Sequence, residues 1–202
     1  MSRGGTIRVL LCAAGVLLPR ADAREPAWQT QALPPEAERL NREAAAAGDA
    51  AAAARLYAQS LRACASNGTA LYGLGRALLD QDRGADARLV LRRLAAAYPE
   101  EPAAREALAF AVARLPAPRR ADIAEGRAGA EEAVRLDPGA PAAWHLLSVL
   151  RHLDGDYPAA AAAARQAVEL DAQQPVDPET TARYQQQETA CTDACLVFSP
   201  LD

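Results

Sequence analysis

Residues 68–101 read GTALYGLGRALLDQDRGADARLVLRRLAAAYPEE. Leu71, Leu74 and Leu78 stand three and four residues apart, as do Ala87, Leu91 and Leu94, and that spacing puts each set on one face of a helix. Pro99 then ends the pattern. The segment is therefore a helix, a turn and a second helix, each with an apolar stripe to bury. The same order recurs on both sides. Leu40, Leu74, Leu108 and Leu147 are spaced 34, 34 and 39 residues apart, and Ala53, Ala87, Gly126 and Ala160 are spaced 34, 39 and 34. Gly48-Asp49 matches Gly155-Asp156 across 107 residues, which two 34-residue steps and one of 39 reproduce. Three markers agree on one register and one insertion, a pattern characteristic of stacked repeats.

The units fall at 34–67, 68–101, 102–140 and 141–174. The third is five residues longer, and its surplus is expected around Leu115-Pro116-Ala117-Pro118, a stretch that breaks a helix. Half of the residues count as hydrophobic but only 4% are aromatic. Alanine supplies much of the remainder, so the expected core is thin, with helices in close approach at Gly75, Ala87, Ala109 and Ala160. Alanine also has the highest helix propensity, and the runs Ala50–Ala54 and Ala159–Ala164 coil with little tertiary help. No stretch alternates as a strand would. The fold class is all-α.

Leu71-x-x-Leu74-Gly75-x-x-Leu78, Ala87-x-x-x-Leu91-x-x-Leu94 and Pro99 together resemble the tetratricopeptide repeat family, an α-solenoid of 34-residue helix-turn-helix units. Unit 141–174 carries Trp144, Leu147, Ala160 and Ala167, and departs at Ser148, Arg151 and Ala172, where the family has glycine, tyrosine and proline. Unit 34–67 carries Leu40, Ala53 and Tyr57. The resemblance implies a binding module in which the first helix of each unit lines a concave groove for a protein or peptide. Carried over, the groove positions are Glu38, Arg42, Tyr72, Arg76, Glu106, Phe110, His145, Val149 and His152. Arg42 and Arg76 occupy equivalent places, where two guanidinium groups suit a carboxylate. The lysines and asparagines of the chaperone-tail carboxylate clamp are missing, so that ligand does not transfer. The competing reading of both arginines is pairing with Glu38 and other local acids.

The ends differ from the middle. Arg3 and Arg8 precede an apolar run from Val9 to Leu18, followed by Pro19 and Ala21-Asp22-Ala23. This is the layout of a secretory signal peptide over residues 1–23, with 24–33 as a linker. The run is too short to span a bilayer, so no stable membrane insertion is expected. Export to a periplasmic or secreted location follows. All 22 basic residues are arginine, a bias of GC-rich genomes that favours a bacterial source. In residues 175–202, Asp177-Pro178-Glu179 is a helix start, and the polar stretch Glu179–Thr189 reads as a capping helix before a small apolar tail. Cys191 and Cys195 are candidates for a local disulfide in an oxidising compartment, and Cys64 for a small buried hydrophobe.

Other classes of function lack their parts. The net charge is -4 with no basic stripe, which argues against nucleic acid. His145 and His152, the two histidines, lie two helical turns apart, about 10 Å, too far to share one metal. No phosphate-cradling loop or triad order is present, so neither an enzyme nor a cofactor is expected. The sequence supports an exported scaffold that holds a protein partner, with assembly of an envelope complex as the expected setting. The alternatives are a small-ligand or metal-handling module using the cysteine pair, and an accessory subunit buried by its alanine-rich outer faces.

Overall fold

The computed structural model describes residues 25–175 and 177–198. The signal peptide expected over residues 1–23 lies outside the described residues. A 3-10 turn at Ala27–Gln29 precedes α1 (Pro35–Ala45), α2 (Ala50–Ala63), α3 (Gly68–Leu79), α4 (Gly84–Ala97) and α5 (Pro102–Ala113). Then come α6 (Arg120–Leu136), α7 (Pro141–Asp154), α8 (Tyr157–Gln173) and α9 (Pro178–Phe198). The nine α-helices among the described residues pack in order, each against the next. The described residues form an all-α, tetratricopeptide-like solenoid with no strand.

Local chemistry sets the boundaries. Proline opens α1, α5 and α7 at the position where a missing N–H costs nothing. Asp49, Asn67, Asp156 and Asp177 accept backbone N–H bonds at the starts of α2, α3, α8 and α9. Gly155, at φ 86°, closes α7 in the left-handed region that glycine enters freely. Asp82 fills the matching place after α3, also left-handed at φ 56°. Its carboxylate reaches Arg114 of the next hairpin at 3.1 Å.

The five extra residues of the third unit do not all fall in its loop. The connection 114–119 is two residues longer than 80–83, and α6 is 17 residues against 14 for α4. The prolines displace the helix start, and Arg120 onwards then coils three residues ahead of the common register.

Two buried clusters follow one another along the stack. Leu71, Leu78, Leu91, Leu94 and Leu108 fill the first, and Val112, Leu146, Leu147 and Leu150 the second. Close approach is real at Gly75, where an added Cβ would sit 2.5 Å from a Leu91 methyl, and at Gly126, 2.8 Å from Val112. Between α1, α2 and α3 the core is polar. Asn67 Nδ2 donates to Ser60 Oγ at 2.8 Å and to Asn41 Oδ1 at 3.2 Å, all three side chains being buried. On another face, Arg88 and Arg92 of α4 grip Glu125 of α6 at 2.6 and 2.5 Å, and Arg88 reaches Asp122 at 2.7 Å.

The last helix continues the array. Tyr184 lies against His145 and Cys191 against His152, both pairs 39 residues apart. α9 thus stands where the first helix of a fifth unit would, packed on α8 and touching α7. Buried Asp171 of α8 accepts a hydrogen bond from Thr181 Oγ1 and ties the two together.

Candidate partner-binding face

The first helices of successive hairpins, α1, α3, α5 and α7, are direct neighbours, and α9 adjoins the last. One residue in each occupies an equivalent place: Glu38, Tyr72, Glu106, His145 and Tyr184. A second row runs Arg42, Arg76, Phe110 and Val149. Glu38 and Arg42 are exposed, whereas Tyr72, Arg76, Glu106, Phe110, His145 and His152 are half-buried. Val149 is 1% exposed and belongs to the core. The side chains proposed from the sequence therefore fall on one continuous face, with Val149 beneath it.

Neither Arg42 nor Arg76 pairs with a carboxylate among the described residues, and Glu38 likewise has no ion-pair partner there. This differs from the surface pairing weighed above. The Arg76 guanidinium instead lies near the hydroxyls of Tyr57 and Tyr72, where it partly offsets the upward push of burial on both phenols. Partial burial of Glu106, with Asp137 adding repulsion, pushes its carboxyl up to about 7. Burial, aided by the Arg183 charge, pulls His145 down to about 4, so its ring is neutral. Its Nδ1 is enclosed without a hydrogen-bond partner.

Three features of this face were not anticipated. Trp28, 2% exposed, is stacked on Tyr72 at 5.9 Å and edge-on to Tyr98 at 5.4 Å. Its Cβ occupies space that any side chain at Gly68 would claim. The strap holding it donates from Ala27 N–H to Glu101 Oε1 at 3.0 Å, and Gln31 Oε1 accepts from Tyr98 OH at 2.8 Å. One of two tryptophans in a chain poor in aromatics, standing outside the repeats, was the available signal. The buried amide layer of Asn41 and Asn67 left none, since asparagine periodicity does not mark burial. The approach of Cys191 to His152 was readable from the 39-residue spacing once α9 is taken as a further unit.

The cysteines do not form the expected bridge. Cys191 and Cys195 are free thiols on one helix, a turn apart. Side chains four residues apart on a helix have Cβ atoms about 5–6 Å from each other, beyond the roughly 3.5–4.5 Å a disulfide needs. Cys64 is half-buried at the end of α2 rather than fully enclosed. Cys191 Sγ accepts from Gln187 Nε2 at 3.2 Å and lies 3.6 Å from His152 Nδ1. That contact superficially suggests a nucleophile and base. The electrostatics run the other way: burial pushes the thiol up to about 11 and lowers the imidazole, so the thiolate-imidazolium pair of a reactive cysteine is disfavoured. No three histidine, cysteine or carboxylate side chains converge as metal ligands among the described residues. No described helix is long and apolar enough to cross a membrane.

Comparison with solved structures gives the same architecture. MamA 41-end from Desulfovibrio magneticus RS-1 superposes with a TM-score of 0.61 at 16% identity, over 84% of this chain and 100% of that one. The MamA RS-1 ArsTM double mutant gives 0.60 at 24% identity, over 70% and 79%. YrrB, described as a TPR protein with an unusual peptide-binding site, gives 0.56 at 20% identity, over 68% and 66%. At these identities the likeness is one of fold. No curated protein matches the sequence closely enough to count as a relative. Profiles of the tetratricopeptide repeat match residues 44–109 and 119–175, together more than half of the chain. The chain belongs to the tetratricopeptide repeat family.

Proposed function

We propose that this protein is a non-enzymatic scaffold that holds a protein or peptide partner on the face built by α1, α3, α5 and α7. The observation that carries this reading is the pair Arg42 and Arg76. They occupy equivalent places in consecutive hairpins with no carboxylate to neutralise them among the described residues, while Arg88 and Arg92 are paired between α4 and α6. Two guanidinium groups without a carboxylate, that of Arg76 beside the Tyr57 and Tyr72 hydroxyls, suit a partner carboxylate. The peptide-binding site in the description of YrrB supports such a use of the fold. Replacing both arginines by alanine weakens a partner captured by affinity purification more than tenfold on this reading. An unchanged dissociation constant removes it.

The setting we propose is outside the cytoplasm, in assembly of an envelope complex. It rests on the charged start, short apolar centre and Ala21-Asp22-Ala23 exit of the first 23 residues. Mass analysis of the protein recovered from its host should find a chain beginning at Arg24. A chain that retains Met1 contradicts export by this route.

A further inference from the structure

Glu106 is the third rung of the row Glu38, Tyr72, Glu106, His145 and Tyr184. The residue is half-buried, and its carboxylate oxygens are not enclosed. It has no ion pair and no hydrogen bond among the described residues. The next rung is also incomplete, because His145 Nδ1 is enclosed and unpaired. A half-buried carboxylate with no partner in its own chain keeps its bonding capacity for an incoming cation. Here two adjacent rungs lack partners on the same face. The Glu106 charge is felt by Tyr72 in the preceding rung and by Tyr184 beyond it, whose ring is tilted against that of His145 at 4.9 Å. Asp137, before α7, adds negative charge from a third direction.

We propose that Glu106, walled by Tyr72 and by the His145–Tyr184 pair, is the receptor for one basic side chain, lysine or arginine, of the segment bound on this face. The inference rests on the reading of the face as partner-binding and specifies the chemistry of its centre. An inserted ammonium or guanidinium supplies the missing charge, donates hydrogen bonds to the carboxylate, and meets aromatic rings suited to cations. An acidic or apolar residue gains neither. Arg42 and Arg76 lie towards α1 in the neighbouring row, so the favoured segment carries an acidic group beside them and a basic one further along. With His145 neutral, the cations around this part of the face are Arg76, engaged with the Tyr72 hydroxyl, and Arg183, paired with Glu179 at 3.3 Å.

The test uses the full chain and pools of acetylated nonapeptides, random except for a fixed central lysine, arginine, norleucine or glutamate. At pH 7.5 the lysine and arginine pools should retain at least fivefold more protein than the norleucine pools. Glu106→Gln should cut that advantage below twofold, while Glu43→Gln, which removes an exposed carboxylate paired with Arg39, should leave it intact. Lowering the pH to 5 should shrink the advantage as Glu106 takes up its proton, with Tyr72, Arg76, Asp137, His145, Arg183 and Tyr184 as the other ionisable groups around it. Equal retention by lysine and norleucine pools, including no retention by either, overturns the proposal. So does an advantage that survives Glu106→Gln, which would reflect only the net negative charge of the chain. The arginine-pair experiment reads the wider face independently, so a lost lysine preference with an intact arginine effect discards this site and keeps the scaffold.

Discussion

Glu106 stores instability when it ionises. Its folded-state value, about 7, lies above the ordinary 4.5 of a glutamate, so between those limits the folded protein binds more protons than the unfolded chain. Stability is therefore lost as pH rises through that window, by up to about 3 kcal/mol if the whole displacement is realised. His145 acts oppositely: held down to about 4 from 6.5, it costs stability as pH falls through that range. Glu106→Gln removes the first effect alone. The variant should melt at a higher temperature than the parent at pH 8, and the two should converge near pH 5. Equal melting temperatures at pH 8 would show that solvent relieves the carboxyl. The arginine pair and this glutamate were named from the repeat register, which fixes which positions share a face. Their missing partners were not legible, because pairing depends on side-chain placement that spacing does not encode.

At the scale of helices, glycine in the middle of a helix has a packing reason here. Gly75 lets α3 lie on Leu91 of α4, and a methyl group would be 2.5 Å from that side chain. Gly75→Ala gains helix propensity of about 1 kcal/mol but overpacks a filled core, at a cost of about 1–3 kcal/mol. Denaturant unfolding should place the variant lower in stability than the parent. A more stable variant would mean the hairpin can open without penalty. This close approach was readable in advance, because a glycine amid leucines at helical spacing signals contact. The third hairpin was read less well. Pro116 and Pro118 marked a break, but nothing in them indicated that α6 would start early and absorb three of the five extra residues. The last helix was expected over a polar stretch and runs on through Cys191 and Cys195 to Phe198. Its end was obscured because cysteine, leucine and valine after a polar segment read equally as a tail.

For the whole molecule, the 34-residue period carried the fold class, since a single hairpin cannot bury its stripe and a stack can. The period did not reveal the docking of residues 25–33, where Trp28 fills the space left by Gly68, because that contact is made once and has no repeat to announce it. Nor did it choose between the two faces of the stack as the place where a partner sits. A photoreactive amino acid decides that most directly, placed in turn at Arg76, at Phe110 and at Leu89, which is 57% exposed on α4. Irradiation in the native host should yield the same protein adduct from positions 76 and 110 and none from 89. Adducts from position 89 with none from 76 or 110 would contradict the account and place the interface on the second helices.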